Sequence, residues 1–134
     1  MWLFLDANVL FTAAHNPNGK AALIVELGEA GLWHLASSTY AMEEARRNLQ
    51  RKYPECLAAF ETQGSVIRIA ADSEMIDCPD GLATKDCPIY RAAHACKADV
   101  LLTGDVRDFG FLMNAPDKAG GLLIQTVADF LDSL

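Results

Sequence analysis

The sequence predicts an α/β fold, a three-layer sandwich with a mainly parallel central sheet flanked by helices. Two observations carry this. Short apolar runs alternate with amphipathic stretches, in the order strand, helix, strand, helices, strand, helix, strand, helix, strand, helix. Such alternation favours parallel strands joined by helical crossovers. The chain is also 134 residues long, the size of one domain, with no linker, repeat or low-complexity tract dividing it. Residues 1–134 are therefore expected to form a single domain.

The elements follow from local chemistry. Residues 2–5, WLFL, form a buried strand that ends on Asp6. Asn16-Pro17-Asn18-Gly19 is a turn cluster. Residues 21–30 follow as a helix, with Ala22, Leu23, Val25 and Leu27 on its apolar side and Gly31 closing it. Residues 32–36 read as the second strand. Ser37, Ser38 and Thr39 offer N-caps for a helix over 38–51, which Pro54 interrupts. A further helix covers 55–62, and Gly64 separates it from a strand at 66–70. Residues 72–85 have the least periodicity and form a loop around Pro79-Asp80-Gly81. Asp86-Cys87-Pro88 opens a helix to about residue 98, since proline is tolerated in a first turn. Residues 100–103 form a strand, 109–113 a short helix, 122–125 the last strand and 126–134 a closing helix.

The bulk numbers exclude several classes. A hydrophobic fraction of 51% and a charged fraction of 22% fit a globular chain. No apolar run approaches the roughly 20 residues that a bilayer-spanning helix needs. The first residues carry no basic leader of the signal-peptide kind, so a cytoplasmic location is expected. A net charge of −7 argues against a general electrostatic grip on nucleic acid, and any basic contact must be local. The cysteines, Cys56, Cys78, Cys87 and Cys96, show no Cys-x-x-Cys pair, and His15, His34 and His94 stand at no zinc-like spacing to them. Reduced, mostly buried thiols are expected.

The carboxylates carry the chemistry. In open α/β sheets, ligands bind beyond the carboxyl ends of the strands. Asp6 follows the first strand directly, and Asp105 follows the strand at 100–103 after Gly104. Asp86 opens the helix before that strand, Glu44 lies early in the helix after the second strand, and Asp108 stands three residues past Asp105. Each has a plainer reading. Asp86 and Asp108 could cap helices, and Glu44 could be a solvated helix residue with Glu43 as its rival. Those two glutamates point about 100° apart, so only one can face a common site. Converging carboxylates repel unless a cation compensates, and oxygen-only ligands suit Mg2+ or Mn2+. Such ions serve phosphodiester hydrolysis.

With those residues in place, the sequence resembles the PIN-domain nucleases, including the VapC-like ribonuclease toxins of bacterial toxin–antitoxin modules. FLDANVL at 4–10 resembles the opening strand, Asp-x-Asn and apolar pair of that family. SSTYAMEEARRNL at 37–49 and KDCPIYRAAHACKADVLLTGDVRDFG at 85–110 continue the match in order. The resemblance implies a metal-dependent endoribonuclease using Mg2+ or Mn2+. It implies Asp6, Glu44, Asp86 and Asp105 as the catalytic, metal-holding acids, with Asp108 as an additional one. Glu44 is preferred over Glu43 because the acid of the family commonly precedes an apolar position, here Leu49, by five residues. Asn8 and Thr103 match positions that brace the site. RNA would be the substrate, and an antitoxin protein and a second copy of the chain are the implied partners.

Among the basic residues, Lys85, Arg91 and Arg107 flank the acids and are candidates for gripping an RNA backbone. Arg46, Arg47, Arg51 and Lys52 gather on one helix and read as solvated charges near its C-terminal end, with phosphate contact near the site, or a surface for an acidic partner, as the functional alternative. Trp33 and the stripe Ala92, Ala93, Cys96 read as core. Phe109 and Phe111 are candidates for a surface shared with a second subunit. Competing functions are weaker. A phosphatase of the haloacid dehalogenase type expects a second Asp where Asn8 stands, and a receiver domain expects paired acids near Asp6. A catalytically weak PIN-like module that binds RNA or protein is the remaining alternative.

Overall fold

The computed structural model describes residues 1–71, 73 and 75–134. Asp72 and Glu74, at the start of the expected loop, lie outside the described residues. Among these residues five strands form one parallel sheet: β1 (Trp2–Leu5), β2 (His34–Ser38), β3 (Ile67–Ala70), β4 (Val100–Leu102) and β5 (Leu123–Gln125). Their spatial order is β3-β2-β1-β4-β5. The chain therefore builds outward from β1 to β3, then crosses back to place β4 on the other side of β1. That reversal leaves a crevice between the carboxyl ends of β1 and β4, the place where such sheets bind ligands.

Among the described residues, seven α-helices cover the sheet: α1 (Ala7–His15), α2 (Lys20–Glu29), α3 (Thr39–Lys52), α4 (Leu57–Gly64), α5 (Cys87–Ala95), α6 (Val106–Phe109) and α7 (Val127–Asp132). This matches the expected sandwich, with one helix added. The sequence pattern assigns no element to residues 7–15. Asp6 ends β1 and also caps α1, its side chain accepting from the Ala7 N–H, so no turn residue marks the boundary. The buried positions Val9, Leu10, Ala13 and Ala14 supply the helical stripe.

Smaller shifts have local causes. Ser38 is the N-cap of α3, accepting from Ala41 N at 3.2 Å, and β2 runs up to it. The helix α5 ends at Ala95 because Lys97 takes a positive φ of 58°. The helix expected at 109–113 begins earlier, at Val106, because Asp105 caps it. Its last turn is a 3-10 turn, Gly110–Leu112.

The core forms where helix stripes meet the sheet. Phe4, Phe60, Phe109, Leu3, Leu5, Leu101 and Ile124 are fully buried. Full removal of such side chains from water stabilises by about 1.5–3 kcal/mol each. Trp33 is core as expected: its Nε1 donates to Ile24 O at 3.0 Å and its ring meets Phe130 edge-on. Ala92 and Ala93 are buried and Cys96 half-buried. Phe109 is 0% exposed, so it fills the core and cannot serve a subunit surface; Phe111 remains exposed.

The cysteine expectation is corrected for two residues. Cys78 and Cys87 form a disulfide, with Cα atoms 5.6 Å apart across a separation of 9 residues. Pro88 sets Cys87 at the start of α5, and a turn that closes with Leu82 N donating to Pro79 O brings the loop back toward it. Neither contact leaves a spacing signature in the sequence. Cys56 and Cys96 are free. No described helix is long and apolar enough to cross a membrane.

Candidate active site

The crevice between β1 and β4 is walled by acids from separate elements. A cavity of about 210 Å³ there is lined by Asp6, Glu44, Asp86 and Asp105, with Asn8, Tyr40 and Lys85 beside them. Glu43 instead lines a groove with Met42, Arg46 and Glu61 on the other side of α3. Of the two glutamates, Glu44 is the one on the cavity.

Asp6 is the deepest acid, 4% exposed. Oδ1 accepts from Ala7 N at 2.6 Å; Oδ2 accepts from Thr103 Oγ1 at 2.8 Å and Asn8 Nδ2 at 3.2 Å. Burial pushes its pKa up from 3.8 to about 6, against those hydrogen bonds, and the charges of Asp86 and Glu44 push the same way. Asp86 is also raised, first by burial, although Lys85 opposes the shift.

Asn8 and Thr103 tie β1 to β4. The Asn8 Oδ1 accepts from Gly104 N at 2.6 Å, and Thr103 Oγ1 accepts from Asp105 N at 3.1 Å while donating to Asp6. A Cβ at Gly104 would lie 3.2 Å from Asn8 Oδ1, so this close approach suits glycine. Thr103 is 0% exposed, and its hydroxyl has no water to replace these partners. Thr103→Val is expected to lower stability by roughly 1–3 kcal/mol, while Thr103→Ser stays close to the parent. Urea unfolding with an unchanged m-value checks both.

Asp86, Asp105 and Asp108 come closest together. One oxygen from each lies within 4.8 Å of the others, the one such group among the described residues. The plainer helix-cap reading fails for Asp86, which makes no side-chain cap bond to α5. Asp105 does cap α6, with Oδ1 accepting from Asp108 N at 3.1 Å. Its Oδ2 faces the cluster. Asp108 does not cap the helix; it stands in the group as the additional acid.

The centre of this group holds Lys85. Its Nζ stands 3.0 Å from Asp86 Oδ2, 3.3 Å from Asp105 Oδ2 and 2.9 Å from Asp108 Oδ2. Partial desolvation works against the charged amine. Hydrogen bonds to Asp108, Asp86 and Asp105 together outweigh it and raise the lysine pKa. The same contact to Lys85 holds Asp108 below the usual carboxylate range.

The donor set can be tested for a divalent cation on this geometry. The ligand atoms are all carboxylate oxygens, the kind that hold Mg2+ and Mn2+. Three of them already converge on one cationic group, the Lys85 ammonium. The residues fit such an ion.

The other basic candidates divide. Arg91 Nε donates to Ile76 O at 3.0 Å and anchors the loop. Arg107 is exposed on α6. Neither lines the cavity. Sequence reasoning passed over Tyr40 and Asn48, which line it together with Lys52. They recur with Glu44 every fourth residue on α3, a spacing that places them on neighbouring turns of one helix face. That periodicity was the available signal. Tyr40 OH donates to Lys85 O at 2.9 Å, joining α3 to the turn Thr84–Asp86. A larger, mostly apolar groove of about 730 Å³ opens on the far side of Asn8, Gly104 and Asp105, toward α2 and α7.

No family model matches the sequence, and no curated protein does. Solved structures do match. One is VapBC2 from Rickettsia felis bound to a DNA fragment from their promoter, at a TM-score of 0.66 and 15% identity, over 94% of this chain and 98% of that one. Another is VapBC-1 from nontypeable Haemophilus influenzae, at a TM-score of 0.63 and 19% identity, over 96% of this chain and 99% of that one. At these identities the likeness is one of fold, and the fold is the PIN-like three-layer α/β sandwich that the sequence predicts.

Proposed function

We propose that the chain is a single-domain, divalent-cation-dependent endoribonuclease that works with an antitoxin partner. The observation that carries this is the convergence of Asp6, Glu44, Asp86 and Asp105 on one cavity at the β1–β4 crevice, with Asp108 beside them. The likeness to two VapBC structures supports the nuclease and partner readings.

Asp86, Asp105 and Asp108 would hold the Mg2+ or Mn2+ ion, with Asp6 and Glu44 facing the same space. The ion, when bound, would activate a water and stabilise the charge that develops on phosphodiester cleavage. The chain's own groups prepare that chemistry. Thr103 and Asn8 fix the Asp6 carboxylate and the start of the Asp105 turn. Tyr40 fixes the backbone that carries Lys85 and Asp86. Lys52 and Asn48 line the same cavity and are placed to meet an RNA phosphate, as a local basic contact on an acidic protein.

A catalytically weak binding module is the second reading, and Lys85 favours it: an ammonium already neutralises part of the acid set. Labelled RNA incubated with Mg2+ or Mn2+ separates the two. Cleavage that disappears with EDTA and in Asp105→Asn supports the nuclease. Cleavage that survives both belongs to a contaminant and sinks it. RNA binding without cleavage, across metals and substrates, would favour the module.

A further inference from the structure

We infer that Lys85 is a built-in counter-ion that competes with a divalent cation for Asp86, Asp105 and Asp108, so that the cation binds only as the ammonium leaves. This rests on reading the acid cluster as a metal centre. An ammonium has three donors, and here they meet three different carboxylates at 2.9–3.3 Å. Those carboxylates offer oxygens within 4.8 Å of one another. A magnesium ion takes oxygens at about 2.0–2.1 Å, so it and the ammonium cannot share that gap.

The residue is also built to exchange. Its side chain is 61% exposed, so the head can swing into water without a large desolvation cost. Its backbone is fixed instead, in the turn Thr84–Asp86 next to Asp86, with the carbonyl held by Tyr40. The anchor stays while the charged end has two places to go. The other lysine lining the cavity, Lys52, is placed differently: its ammonium lies over the Phe11 ring, 5.8 Å from the centroid.

Competition of this kind weakens apparent affinity by the fraction of molecules in which the oxygens are free. With the ammonium in place in about nine of ten metal-free molecules, the apparent Kd rises about tenfold. Lys85 then sets the cation concentration at which the site fills. It also keeps the acids compensated before it fills.

Mn2+ titration by calorimetry tests this on the full chain, with Lys85→Met, Lys85→Arg and Lys52→Met at one pH and ionic strength. Lys85→Met is expected to bind Mn2+ about tenfold more tightly. Lys85→Arg keeps the charge and should stay near the parent. Lys52→Met removes the same charge without touching the three carboxylates and should move affinity less than about twofold, as a screened charge does. In EDTA, Lys85→Met should also melt at a lower temperature than the parent and recover with Mn2+. Lys85→Gln replaces Lys85→Met should the latter fail to fold. Unchanged or weaker Mn2+ binding by Lys85→Met, or by Lys85→Gln in its place, overturns the inference, as does equal tightening in Lys52→Met. Absence of Mn2+ binding from the parent and every variant overturns the metal reading itself.

Discussion

Asp105→Asn is expected to lower metal-dependent RNA cleavage by more than about 100-fold and to leave the fold in place. Losing even an outer partner of a metal ligand typically costs roughly 10–100-fold, and Asp105 is proposed to touch the ion. The structural cost is small because the two roles of the side chain sit on different atoms. Oδ1 caps α6 by accepting from Asp108 N, and an asparagine oxygen can do the same. Oδ2 faces Lys85 at 3.3 Å, and only that atom is exchanged for an amide. The bond from Asp105 N to Thr103 Oγ1 uses the backbone and survives. The lost ion pair is partly exposed, so the change in stability should stay within about 1 kcal/mol. Cleavage rates paired with a thermal melt decide the matter. Full activity in the variant, or inactivity that merely follows unfolding, would remove Asp105 from its proposed role.

The sheet was legible because β1, β4 and β5 are short, mostly apolar runs bounded by a breaker or a polar cap. Such parallel strands leave little alternation to misread. The helix α1 was missed for the opposite reason. Its boundary with β1 is a single residue, and Asp6 shows a functional and a capping character at once. The acids were legible as a set because β1 and β4 place Asp6 and Asp105 at their ends, whatever the details of the loops. What spacing does not encode is which atoms meet. Lys85 was assigned to substrate by adjacency, yet the turn Thr84–Asp86 aims it at three carboxylates. Arg91 lies one helical turn past Cys87 and serves the loop instead. The Cys78–Cys87 bridge and the Tyr40–Lys85 bond likewise depend on how residues 75–86 fold back. A segment with so little periodicity keeps that information from a reader of the sequence.

Without metal, the protein is expected to grow more stable as the pH falls from about 6.5 toward 4.5. Asp6 has a folded pKa of about 6 against 3.8 for the free side chain, with burial as the leading cause. Between those values the folded chain binds more protons than the unfolded chain, so stability drops as pH rises through the window. The contribution is complete below the unfolded value and lost above the folded one. A difference of this size corresponds to roughly 3 kcal/mol, and Asp6 is buried enough for solvent screening not to erode it. Asp86 is shifted the same way and adds to the trend. Asp108 is shifted the other way by Lys85, but a carboxyl held below 3.8 acts beneath this window and opposes the trend only weakly. Urea unfolding in EDTA across this range measures the slope, and Asp6→Asn, which cannot titrate, should flatten most of it. A flat parent profile would mean that Asp6 is ionised at little cost in the folded chain. Saturating Mn2+ should remove most of the effect. A cation beside Asp6 favours its charged form and draws its folded pKa down toward the free value of 3.8, so neither state binds a proton there over most of the window and the metal-loaded profile is nearly flat. The two profiles diverging toward neutral pH would link cation binding to the ionisation of the buried acids, and the loss of that divergence in Asp6→Asn would assign it to Asp6, without any cleavage assay.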